Sequence, residues 1–99
     1  MTREEIIEKL KAMEPELRAR GITRMRMFGS RARGDARPDS DLDLLVEYRR
    51  PQAISAFDFF GIGSDLTDVL GVETSIVSDH QDLKPRFRRA IENDLVSVF

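Results

Sequence analysis

Gly29-Ser30-Arg31-Ala32-Arg33-Gly34 and, after a short polar loop, Ser40-Asp41-Leu42-Asp43-Leu44-Leu45-Val46 form the stretch on which the fold turns. Asp41 and Asp43 alternate with apolar residues in a run that reads as a strand. Both carboxylates therefore project to one face, while Leu42, Leu44 and Val46 project to the other. Two carboxylates about 7 Å apart along one strand suit one or two hard divalent cations such as Mg2+. Reading them as solvated edge-strand aspartates is weaker, because an acid pair inside Leu-Asp-Leu-Leu-Val is costly unless a cation or water satisfies it. Ahead of the acids, the Gly29-Ser30 bend opens onto a short helix and offers backbone N–H groups and a hydroxyl to a phosphate. Gly29 has no side chain to block that approach, and Gly34 closes the short helix. A phosphate cradle followed by metal-binding carboxylates is the equipment of nucleotidyl transfer.

Outward from this stretch, helical and strand signals alternate. Thr2 with Glu5 reads as a capping box for a helix carrying Ile6, Ile7 and Leu10. Pro15 restarts the helix, which runs to Arg20 and stops at Gly21. A strand over 22–28 delivers the chain to Gly29, Ser30 caps the helix through Arg33, and 35–40 is a polar loop. A second strand covers 42–48. The segment 49–53, with Pro51, reads as the most mobile connection. Ser55 caps a helix to Leu70 that Gly61 and Gly63 weaken in the middle. A third strand is expected over 72–77, a closing helix over 83–91 and a short strand over 95–99. The fold class is α/β (α+β), one domain over 1–99 with a mixed β-sheet flanked by helices.

Composition excludes several classes. Without cysteine the chain has neither disulfides nor thiolate metal sites, which fits a cytoplasmic setting. No apolar run approaches a membrane span, and the N-terminal Thr2-Arg3-Glu4-Glu5 is not a signal peptide. A net charge of −2 argues against bulk affinity for nucleic acid. Yet Arg18, Arg20, Arg24, Arg26, Arg31, Arg33 and Arg37 crowd around the expected cradle. Arg31 and Arg33 stand within the motif and suit bidentate phosphate contacts, and the others read as a solvated basic surface. His80 and Asp79 read as loop residues, and Arg86, Arg88 and Arg89 as a solvated helix face. Phe57, Phe59 and Phe60 read mostly as core, with any exposed edge serving as a protein-binding patch.

The Gly-Ser pair, the Asp-x-Asp and the strand context of each resemble the DNA polymerase beta-type nucleotidyltransferase superfamily. More closely, the chain is similar to its small stand-alone members, the minimal nucleotidyltransferases (MNT), over nearly its whole length. One position departs from the pattern. Where the family carries a third carboxylate on the strand after the Leu-Gly turn, this chain reads Thr74-Ser75-Ile76-Val77, with Ser75 in place of the acid. Glu73 lies two residues earlier on the same strand face and is a possible substitute, although a solvent-facing glutamate is the simpler reading.

The resemblance implies Asp41 and Asp43 as catalytic metal ligands, two Mg2+ ions, and ATP bound at Gly29, Ser30, Arg31 and Arg33. It further implies an antitoxin of a type VII-like toxin–antitoxin pair, transferring AMP to a tyrosine of a helical HEPN partner. Two alternatives stay open. One is a catalytically degenerate nucleotide-binding module that acts by forming a complex, as Ser75 allows. The other is a stand-alone transferase acting on a small molecule or RNA.

Overall fold

A computed structural model describes residues 1–49, 55–80 and 82–99. The connection expected at 49–53 lies, apart from Arg49, outside the described residues. The chain starts with helix α1 (Arg3–Ala12), where Thr2 accepts the Glu5 N–H at 3.1 Å and Glu5 accepts the Thr2 N–H at 3.4 Å. This is the expected capping box. Helix α2 (Glu14–Ala19) carries Pro15 in its first turn, where the missing N–H has no helical partner to lose. Strand β1 (Ile22–Phe28) and the four-residue helix α3 (Ser30–Arg33) follow, then β2 (Leu42–Tyr48). Helix α4 (Ala56–Leu70) is capped by Ser55, whose hydroxyl accepts the Asp58 N–H at 3.1 Å. Strand β3 (Thr74–Ser78), helix α5 (Pro85–Ile91), a 3-10 turn (Glu92–Asp94) and β4 (Val96–Ser97) complete the order.

Three details differ from the sequence expectations. Gly61 and Gly63 do not break α4, because Gly63 is buried where the helix packs on β3. The third strand starts at Thr74 rather than at position 72, and the last helix starts at Pro85 rather than 83. Ser30 is the first helical residue and does not cap α3. Gly29 takes the cap position, with φ +80°.

The sheet has the order β3-β2-β1-β4. β1 is antiparallel to β2 and to β4, while β2 and β3 are parallel, with α4 as the crossover that parallel pairing requires. Alternation along β2 decides the layers. Leu42, Leu44, Val46 and Tyr48 are buried on one face with Ile6, Leu10 and Leu17 of α1 and α2 and Ile62, Leu66 and Leu70 of α4. Leu45 joins Phe28 and Ile91 on the opposite face, where Val77, Leu83, Phe87 and Leu95 pack against them. Truncating a fully buried leucine such as Leu42 or Leu44 to alanine costs about 2–5 kcal/mol. The second face is covered only partly, and Asp43 occupies its less covered end, beside the β1–α3 junction.

Candidate nucleotidyl-transfer site

Pairing register brings the motif together. Asp43 stands opposite Phe28 on β1, immediately before Gly29, and opposite Ser75 on β3. Gly29 is in contact with the acid: a Cβ built on it would lie 2.6 Å from Asp43 Oδ2. Together with φ +80°, this makes glycine a steric requirement at that position. The Arg33 N–H donates to Gly29 O at 3.0 Å and starts the α3 bonding, so the amides of the first turn have no intrahelical acceptor. Those amides adjoin the Asp43 carboxylate through Gly29, which puts anion donors next to a candidate cation ligand.

Asp41 is exposed just ahead of β2 and shares the Asp43 face. Burial raises the Asp43 pKa above the usual aspartate value, and the neighbouring Asp41 charge raises it further. No ion pair among the described residues uses either acid. Two adjacent carboxylates, one half-buried and neither neutralised by a base, form a donor set that fits a hard divalent cation. Glu73 does not complete a trio. Its carbonyl accepts the Leu42 N–H at 2.8 Å, which places it beside Asp41, yet no group of three ligating side chains forms among the described residues. Glu73 instead lines a groove between α4 and β3.

Arg31 and Arg33, expected at the phosphates, both make contacts within the chain. Arg31 is buried, and its guanidinium donates to Ser40 O at 3.0 Å and Pro38 O at 3.3 Å. It thereby ties α3 to the loop that delivers Asp41. Arg33 donates to Asp35 at 3.1 Å and to Asp94 at 2.8 Å, bracing α3 against the turn after α5. Motif spacing located both residues correctly on α3 but carried no information about these carbonyl and carboxylate acceptors.

The sequence reading missed a second set of charges. Arg26 and Arg88 both meet the largely buried Asp79 at 2.6 Å, and Arg88 also donates to His80 O at 2.6 Å. Alternation along β1 held the signal, since Arg26 falls on the face of Phe28 and a charge on a covered face needs a partner. His80 is exposed, and its Nδ1 accepts the Asp82 N–H at 3.1 Å.

Residues 3–98 match the family described as nucleotidyltransferase domain. The chain belongs to that family. Among its relatives, the protein adenylyltransferase MntA of Thermococcus cleftensis is 33% identical over 99% of this chain and 97% of its own length. A solved structure bearing the name of a minimal nucleotidyltransferase superposes with TM-score 0.78 at 35% identity, covering 97% of this chain and 95% of that one. The MNT antitoxin of Shewanella oneidensis, solved in complex with a tri-AMPylated HEPN toxin, gives TM-score 0.70 over 99% of this chain and 72% of that one. At 12% identity that match speaks for the shared fold. The mixed sheet flanked by helices is thus the minimal nucleotidyltransferase architecture, as the motif implied. Among the described residues no helix is long and apolar enough to cross a membrane.

Proposed function

We propose that this nucleotidyltransferase domain, spanning 1–99 as one unit, transfers AMP from ATP to a hydroxyl of a partner protein. The Asp43–Gly29 contact carries the reading, because it joins a cation ligand to the anion-donating end of α3. Asp41 and Asp43 would hold Mg2+, which supplies charge neutralisation at the phosphates and lowers the pKa of a bound hydroxyl. Gly29 and Ser30 face the phosphates with backbone N–H groups and a hydroxyl, while Arg31 and Arg33 position the cradle and its loop. The acceptor oxygen forms a bond to the α-phosphorus, the bond from that phosphorus to the bridging oxygen breaks, pyrophosphate departs, and the hydroxyl proton passes to water.

A relative named protein adenylyltransferase and a neighbour named as an MNT antitoxin in complex with a tri-AMPylated HEPN toxin support a HEPN toxin as the partner and the antitoxin half of a pair as the biological role. We take a tyrosine of that partner as the acceptor and the cytoplasm as the setting, as the sequence resemblance implies. The test combines this chain with such a partner and Mg-ATP and follows the partner's mass. One AMP added per modified tyrosine, lost with Asp43→Asn, is the expected result. Absence of added mass despite Mg-ATP binding would overturn transfer.

One observation favours a second reading. Ser75 stands directly opposite Asp43 and brings no negative charge to the cluster. A degenerate domain would bind Mg-ATP and the partner tightly and leave the partner unmodified, which the same experiment distinguishes.

A further inference from the structure

The order of groups across the sheet has a directional consequence. Gly29 follows directly on β1, Asp43 lies beside it on β2, and Ser75 stands opposite Asp43 on β3, the outermost strand. In phosphoryl displacement the entering and departing oxygens lie roughly in line on opposite sides of phosphorus. With the phosphates at the Gly29–Ser30 end, pyrophosphate departs on the β1 side and the acceptor hydroxyl arrives from the β3 side.

β3 is open on that side. The Leu42 N–H donates to Glu73 O at 2.8 Å and the Asp79 N–H donates to Val46 O at 2.7 Å. Odd-numbered positions therefore bond to β2, and Thr74, Ile76 and Ser78 turn their backbone groups outward, where the Thr67 hydroxyl of α4 accepts the Thr74 N–H at 3.0 Å. Among the described residues no strand pairs with this outer side. Beside it, α4 leaves Phe57 86% and Phe60 73% exposed. A cavity of about 450 Å³ between α4 and the strand is lined by Phe60, Gly63, Thr67, Ser75 and Ile76 among others. Ser75 stands on the Asp43 face yet also lines this groove on the α4 side, so the site and the groove meet around the edge of β3.

We infer that the outer edge of β3 and the Phe60 groove receive the acceptor as an extended polypeptide segment, which adds a further strand to the sheet. Main-chain groups of Ile76 and Ser78 would hold the segment, and its side chains would alternate between the two sheet faces. A hydroxyl residue turned toward Asp43 then has immediate neighbours turned toward α4, onto Phe60. The acceptor residue is accordingly flanked by apolar side chains. This rests on the nucleotidyl-transfer reading, but its test reads docking separately.

The probes are a short soluble peptide with a central Ile-Tyr-Ile and a control with Ser-Tyr-Ser, each titrated into the isotope-labelled chain with and without Mg-ATP. Shifts at the amides of Ile76, Ser78 and Phe60 for the first peptide, with affinity weakened about tenfold in the control and in Phe60→Ser, are the expected result. Mg-ATP affinity should be unchanged in Phe60→Ser. Shifts confined to other surfaces, equal binding of both peptides, or no binding would overturn the inference. Concentration-dependent self-association through Phe60 with no peptide response would overturn it in favour of a second copy of this chain. Failure to bind Mg-ATP alongside normal peptide docking would sink the transfer reading and leave the surface standing.

Discussion

Asp43 is half-buried against Gly29 with Asp41 on the same face, and both circumstances raise its pKa. Between the unfolded and folded pKa values the native protein binds more protons, so stability rises as pH falls through that window. Above the window the ionised carboxylate carries a constant penalty. Asp43→Asn is therefore expected to raise the Tm of the metal-free protein at neutral pH while abolishing Mg-ATP binding, read by thermal unfolding and calorimetry. An unchanged or lower Tm would show that the acid is already neutralised within the chain. In the wild type, Mg2+ affinity should fall as pH drops through the raised pKa, because proton and cation compete for one carboxylate. Ser75→Asp adds a third like charge beside Asp43 and is expected to lower metal-free stability but raise Mg2+ affinity and transfer. A folded variant that binds Mg-ATP with no gain in transfer would mean that another group already fills that role. Gly29→Ala introduces strain at φ +80° and a clash at 2.6 Å, and should cost at least about 1 kcal/mol of stability and displace the Asp43 carboxylate.

At the scale of elements, Asp79 joins β1 to α5 through Arg26 and Arg88, with the Asp79 side chain only 10% exposed and that of Arg26 15%. Removing the acid leaves Arg26 with an uncompensated charge among apolar neighbours. Asp79→Ala is expected to destabilise the protein by about 3 kcal/mol, measured by urea unfolding, with Mg-ATP affinity preserved in the folded fraction. Local chemistry made most elements legible. Thr2 with Glu5, Pro15, Gly21 and Ser55 set the helix boundaries, and the alternation along 42–48 set both faces of β2. The Gly-Ser and Asp-x-Asp spacing also located the β1–α3 junction against β2. What stayed hidden depends on partners distant in sequence. Arg33 meets Asp94, Arg26 meets Asp79, and Phe60 lies off the α4 stripe of Phe59, Ile62, Leu66 and Leu70 that packs on the core. No periodicity encodes those acceptors. Ser75 was legible as a substitution, but its place directly across from Asp43 required the parallel register.

For the whole molecule, charge and layering act together. The arginines crowded between positions 18 and 37 are largely matched by acids: Arg18 with Glu14, Arg20 with Asp65, Arg24 with Glu47 and Arg26 with Asp79. With a net charge of −2 as well, little positive field remains to concentrate a polyanion. Titration with single-stranded RNA at about 0.15 M salt is expected to show no saturable binding below the micromolar range. Tight binding there would revive RNA as an acceptor.

The Thr67 hydroxyl donates to Gly63 O at 2.9 Å and accepts the Thr74 N–H at 3.0 Å, so one turn of α4 holds the first amide of β3. That amide is consequently a built-in reporter. Its exchange with deuterated solvent tracks whether helix and strand stay clasped, and Thr67→Val silences the signal without touching the acids. Any visitor that pries the helix outward will be announced at Thr74 before it is felt at the reacting phosphorus.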